Sequence, residues 1–254
     1  MLAHTILSWL LLPGIPPTTD VPGNDVVPQG EPPSMLEELF LSDLIYPQER
    51  GELQISTGLW LGFDRGERRT VLPLVLEWGM TDDLQLELLL PYVDDSDWDV
   101  SGIDEVGVGA LVQIAKDAQG GPQLAVGADV TFLDAHSGEV DWSVEPFALF
   151  YRAGEALDLN AGLGLSLSEA DGEWDTGALG ALAFIKDLGP CTGSFEVLGE
   201  QEDGDLALSA APGLSWRWGD YEFGCAVAVG LTDAAADVQV LFTLTREWSF
   251  ARPE

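Results

Sequence analysis

Bases are scarce in this chain. Ten Lys and Arg stand against 44 Asp and Glu, a formal net charge of −34. That balance excludes a nucleic-acid partner, because phosphate contacts need a basic footprint. Long apolar runs are missing too. No uncharged apolar stretch reaches the roughly 18 residues a membrane-crossing helix needs. The two cysteines, Cys191 and Cys225, are too few for a disulfide framework or a zinc site. They fall on non-neighbouring predicted strands, so no bridge is expected. Histidine is limited to His4 and His136. A hydrolytic Ser or Asp needs a positioned base, and His136 sits alone in the loop sequence Asp134-Ala135-His136-Ser137-Gly138-Glu139. No phosphate-binding glycine loop is present, since Gly162-Leu163-Gly164 lies inside a strand pattern rather than before a helix. No enzyme activity, catalytic residue or cofactor is therefore expected.

The chain divides into five parts. Residues 1–14 hold the short apolar run Ile6 to Leu12, read as a signal-peptide core. Residues 15–33 are rich in Pro and Gly and read as a disordered linker. Residues 34–50 open with Ser34-Met35-Leu36-Glu37, which has capping-box spacing, followed by Leu39, Phe40 and Leu44. This predicts a short pre-barrel helix able to plug or brace one mouth. Residues 51–250 form the main domain, and 251–254 a tail.

From Gly51 onward, apolar residues alternate with polar or small ones, the period of a strand. The clearest run is Leu157 to Ser168, with Leu157, Leu159, Ala161, Leu163, Leu165 and Leu167 on one face. Asp158, Asn160, Gly162, Gly164, Ser166 and Ser168 occupy the other. Extending the pattern places strands near 52–63, 70–78, 83–92, 104–115, 123–133, 140–151, 156–168, 177–186, 191–200, 206–217, 221–231 and 238–250. Twelve is an even number, as single-chain outer-membrane barrels require. No helical period intervenes, so the connections are hairpins and the sheet an antiparallel meander. Turns at 79–82, 117–122, 152–155, 187–190 and 219–220 are short. The connections 94–102, 134–139, 169–175 and 200–205 are expected to be longer and acidic.

Alternation alone does not separate a barrel from a soluble sandwich. The polar face does. Nearly every strand contributes an acid to it: Glu52, Glu77, Glu87, Glu105, Asp129, Glu145, Asp158, Glu196, Glu222 and Glu247. Arg217 is the one base found there. Buried unpaired carboxylates are costly, so this face must be wet. Its remaining positions are mostly Gly, Ala, Ser and Thr, which suit the concave wall of a barrel better than an exposed sheet. Aromatics sort by strand end. Trp78, Trp218, Tyr221, Trp248 and Phe250 fall at the short-turn end, and Phe63, Tyr92, Phe132 and Trp142 toward the loop end. Two such rows mark interfacial girdles.

The segment Leu72 to Tyr92, with Trp78-Gly79-Met80-Thr81-Asp82, an alternating Leu and Glu strand, then Pro91-Tyr92, resembles a hairpin of outer-membrane transporters grouped with phenol-degradation (MetA-pathway) proteins. That group's next strand opens Gly-x-Gly-Asp, where this chain has Ser101-Gly102-Ile103-Asp104. The resemblance implies an outer-membrane β-barrel passing small molecules.

The expected protein is an all-β transmembrane barrel of about twelve strands in the bacterial outer membrane. Its partners would be outer-membrane lipid, lipopolysaccharide, the barrel-assembly machinery and a small or cationic solute. Glu87, Asp129, Glu145 and Glu196 are the expected selectivity residues near mid-depth. Glu52, Glu77, Asp158, Arg217, Glu222 and Glu247 line the lumen near the short-turn mouth. No metal is expected. Asp95, Asp97 and Asp99 alternate in a loop but miss the EF-hand pattern, with Val100 and Val106 at the sixth and twelfth positions counted from Asp95, so a solvated acidic loop is expected and a weak divalent site near lipopolysaccharide is the minor alternative. A non-conducting adhesive barrel and a secreted, sugar- or partner-binding β-sandwich are the alternatives.

Overall fold

A computed structural model describes residues 39–64, 67–95, 100–103, 105–116, 122–133, 141–170, 173–202 and 204–250. The expected signal peptide and linker, the tail, His136, Asp97 and Asp99 lie outside the described residues.

The strands are β1 (Glu52–Asp64), β2 (Glu67–Leu72), β3 (Leu74–Gly79), β4 (Leu84–Leu89), β5 (Tyr92–Asp95), β6 (Val100–Ile103), β7 (Glu105–Ala115), β8 (Gln123–Leu133), β9 (Asp141–Arg152), β10 (Asp158–Ala170), β11 (Glu173–Asp187), β12 (Thr192–Glu202), β13 (Asp205–Trp218), β14 (Tyr221–Gly230) and β15 (Val238–Ser249). Three pairs, β2/β3, β4/β5 and β6/β7, are single barrel strands with a break. Pro73 and Pro91 cause the first two, because proline has no N–H for the ladder. The sheet is a meander of twelve antiparallel barrel strands. It closes where β15 pairs with β1 from Glu52↔Ser249 to Phe63↔Val238.

Burial runs inside out. Gln54, Ser56, Gln85, Gln113, Asn160, Thr192, Ser215 and Thr245 are buried, while Leu163 is 73% exposed and Leu165 56%. A soluble sandwich would bury its leucines and expose its glutamines. Most inward positions here are small or polar and the outward ones apolar, the pattern of a barrel set in lipid.

Two expectations are corrected. The first is the helix over 34–50. Residues 39–50 run as bends and extended chain inside the barrel mouth, and residues 34–38 lie outside the described residues. The helical hydrogen bonds are replaced by bonds to the barrel wall, described below. The second is the length of two loops. β10 runs to Ala170 and β11 starts at Glu173, while β12 runs to Glu202 and β13 starts at Asp205. The stretches 169–175 and 200–205 are therefore mostly strand, because their acids alternate in register with the opposite strand.

Candidate functional site

The register brings the inward acids into one row. Glu247 of β15 pairs with Gln54 of β1, Gln54 with Glu77 of β3, and Glu77 with Glu87 of β4. Glu87 pairs with Gly109 of β7, Gly109 with Asp129 of β8, and Asp129 with Glu145 of β9. Ser166 of β10 ends the row, donating to Glu145 Oε1 at 3.3 Å. Like charges directly opposite each other destabilise a sheet, so this ladder is not there for stability. Because barrel strands tilt and stagger, an in-register row climbs the wall. Glu247 and Glu77 lie near the rim that carries the barrel's two ends, while Asp129 and Glu145 lie in mid-strand.

The first described residues occupy the lumen at that rim. Gly51 takes φ +83°, a backbone that favours glycine, where the chain leaves the lumen to enter β1. Gln48 N donates to Gln85 Oε1 at 2.8 Å, and Gln48 Nε2 to Gln54 Oε1 at 2.8 Å. Gln54 and Gln85 each donate from Nε2 to Glu77. Tyr46 accepts from Gln123 Nε2 at 3.0 Å and packs edge-on against Tyr151, with ring centroids 5.2 Å apart. Tyr151 in turn donates to Asp158 at 2.9 Å. Asn160 Nδ2 donates to the Asp43 carbonyl at 2.8 Å. Burial in the lumen, and then the charge of Glu145, push the Asp43 carboxyl above its ordinary range.

Glu196 is the post at the far end of this segment. It is 1% exposed, and its carboxylate accepts Phe40 N at 3.0 Å, Leu41 N at 2.8 Å, Ser42 Oγ at 3.3 Å and Ser194 Oγ at 3.4 Å. Charge-assisted acceptance of two otherwise orphaned backbone donors makes this a strong anchor. Phe40 seats on Gly213 and Gly224, where a Cβ at either position would run into its ring. Ala211, Ala226, Ala228 and Leu241 complete its pocket.

Beside and above the segment lies a cavity of about 890 Å³. Glu77, Glu87, Glu105 and Asp129 line it on the acidic side, with Asp43 below. Trp60, Val71, Val75, Leu89 and Val93 line it elsewhere, and Arg68 and Arg69 stand at its mouth.

Of the four residues expected to select the solute, Glu87, Asp129 and Glu145 share the ladder, while Glu196 is covered by the segment. At the terminal rim, Glu52 accepts from Glu49 N and Ser249 Oγ, each at 2.9 Å, and Arg217 lies 4.0 Å from Glu222. Sequence reasoning missed Arg69, which extends the wet face beyond Arg217, and it missed Asp43 and Trp60, while it placed Phe40 on a plugging helix. It also passed over the buried glutamines, which signal a polar interior because they alternate with leucines and isoleucines. Trp78, Trp218, Phe250, Phe63, Tyr92 and Phe132 are exposed outward. Trp142 meets Trp174 edge-on at 5.2 Å. Tyr221 and Trp248 flank Arg246. Both cysteines are free. Among the described residues no cluster could hold a metal ion.

No protein-family model matches this chain, and no curated protein matches it. Solved structures do. The COG4313 outer membrane channel from Pseudomonas putida F1 is 13% identical, with a TM-score of 0.60 over 80% of this chain and 98% of that one. The NanC porin is 12% identical, with a TM-score of 0.54 over 79% of this chain and 100% of that one. The KdgM porin, in complex with disordered oligogalacturonate, is 11% identical, with a TM-score of 0.51 over 79% and 99%. At these identities the likeness is one of architecture: this chain has the closed barrel fold seen in outer-membrane channels and porins.

Proposed function

We propose that this chain is a non-enzymatic outer-membrane channel for small cationic solutes, narrowed at its periplasmic half by residues 39–50. The rim carrying Glu52 and Ser249 faces the periplasm. The observation that carries this reading is the in-register ladder of Glu247, Glu77, Glu87, Asp129 and Glu145. Carboxylates placed side by side in a narrow lumen favour counter-ions and repel anions. Glu87, Asp129 and Glu145 serve the solute, and Glu196 serves the segment. The exposed apolar outer rows meet outer-membrane lipid and lipopolysaccharide, and the last strand, with Phe250 just after it, is offered to the barrel-assembly machinery. The phenol-degradation resemblance rests on the 72–92 hairpin and supports a transport barrel without naming its solute.

The test is the reversal potential in a potassium chloride gradient across a planar bilayer. The wild type is expected to favour potassium, and the triple variant Glu87→Gln, Asp129→Asn, Glu145→Gln to lose most of that preference. An unchanged ratio sinks the role of the ladder. A wild type and a Phe40→Ala variant that both fail to conduct would favour a structural barrel instead, a reading that the filled mouth also supports.

A further inference from the structure

Bases are few, yet four of them end outward strand rows at the rim that carries the barrel's ends. Lys116 follows Ile114 just beyond β7, and Arg152 follows Phe150 on β9. Lys186 follows Phe184 on β11, and Arg246 follows Leu244 on β15. At the opposite rim the outward rows end in aromatics such as Phe63, Phe132 and Trp174.

Arg246 is the best-built of the four. Its guanidinium carbon lies 4.7 Å from the Trp248 ring centroid and 5.0 Å from that of Tyr221. Nη1 donates to Tyr221 Oη at 3.0 Å. Nη2 stands 3.7 Å from the carboxylate of Asp220, whose side chain is 78% exposed. Nε is buried and has no acceptor. Two flanking rings thus hold a planar donor group, and each Nη keeps a second N–H beyond the contact named for it. A tetrahedral oxyanion is the acceptor that such a fork fits. Asp220 beside it disfavours a purely anionic ligand, as does the chain's net charge of −34. Asp220 suits one that carries a cation next to its anion. Below the corner the outward surface is apolar, with Phe242 46% exposed, and Trp218, 77% exposed, stands beside the corner.

We infer that the corner formed by Asp220, Tyr221, Arg246 and Trp248 binds the zwitterionic head group of an aminophospholipid in the periplasmic leaflet. The phosphate sits on Arg246 and the ammonium on Asp220, and the acyl chains lie along Leu244, Phe242 and Phe223. This site is on the outer wall and does not depend on what the lumen conducts.

The test uses the whole barrel in mild detergent, with folding of each variant checked by faster gel migration before boiling. Phosphatidylethanolamine or phosphatidylglycerol is added, and retained lipid is counted by native mass spectrometry. The wild type is expected to retain phosphatidylethanolamine in preference to phosphatidylglycerol. Arg246→Gln should retain it about tenfold less, the size of losing one charge-assisted contact. Asp220→Asn should narrow the preference between the two lipids, and Arg152→Gln, on a distant strand, should change nothing. Equal retention by the wild type and Arg246→Gln overturns the site. So does a preference for phosphatidylglycerol, or displacement of the lipid by added inorganic phosphate, which would mean that the corner takes free phosphate instead.

Discussion

Two walls of the same lumen are built on opposite plans. From β15 through β1, β3 and β4 to β8 and β9, the inner surface carries the carboxylate ladder. From β11 to β14 it carries Ala183, Ala211, Gly213, Gly224, Ala226 and Ala228, with Glu196 buried among them and Glu222 buried nearer the rim. The small-residue wall makes room for Phe40 and Leu39, which pack into it. The acidic wall meets the segment below the ladder, where Ile45 and Tyr46 pack on Leu111, Ala125, Leu149 and Tyr151, and through the polar contacts at the rim. Space and charge are thus separated within one barrel. One wall seats Phe40 and Leu39 among small residues, and the other presents its carboxylates to the cavity.

If that division is right, damage to the small-residue wall should alter how often the lumen is open without altering which ions it prefers. Phe40→Ala should have the largest effect. Truncating a buried Phe costs about 3 kcal/mol or more, so the segment should undock readily and single-channel conductance should rise, with cation preference kept. A rise accompanied by loss of cation preference would break the comparison, because the segment would then be part of the selective wall.

A smaller effect is expected from pH. Docking buries Asp43 and raises its pKa, so the docked state holds the Asp43 proton more tightly than the free segment does. The charge of Asp43 therefore opposes docking at pH above the raised value. The opposition fades as pH falls through that value, and is gone below the ordinary value of 3.8. Closed intervals in bilayer recordings should lengthen on acidification. Asp43→Asn should have longer closed intervals at neutral pH and less dependence on pH. Asp129 and Glu145 carry their charge close to Asp43, so the residual slope in Asp43→Asn measures what the rest of the lumen contributes. An undiminished slope would remove Asp43 as the sensor.

The smallest change should come from Gln113→Ala. Gln113 Nε2 donates to Gln123 Oε1 at 2.7 Å, and Gln123 in turn donates to Tyr46. Losing this outer bond costs about 1 kcal/mol. It should lower the unfolding midpoint slightly and leave closed intervals nearly as they were. A large change in those intervals would mean that the glutamine row acts as one unit in holding the segment.

Much of the barrel could be read from the sequence, and the reason is local. A strand's side chains alternate with a period of two, so Leu157 to Ser168 declares its two faces without reference to any other strand. The inward acids, the outward aromatics and the antiparallel hairpins all follow from this. The misreadings arose where contacts distant in sequence outweigh the local pattern. Ser34 to Leu44 has the spacing of a helix start, yet the backbone donors of Phe40 and Leu41 are taken by Glu196, some 155 residues away. Gln85 likewise takes the N–H of Gln48, and Asn160 binds the carbonyl of Asp43. A segment whose backbone groups are satisfied by the wall has no need of helical bonds. At the strand ends, acids that read as loop were held in the ladder by the strand opposite.

The sequence by itself determined which side chains face the lumen, because facing is a property of each strand alone. The height at which each acid sits, and so whether Glu77, Glu87, Asp129 and Glu145 form one ramp or lie scattered, was decided only when the strands paired and the sheet closed. A shift in register by an even number of residues would preserve every facing and dissolve the ladder. The seat for Phe40 likewise exists only in three dimensions, where Gly213 and Gly224 from two strands leave a common space that one aromatic ring fills.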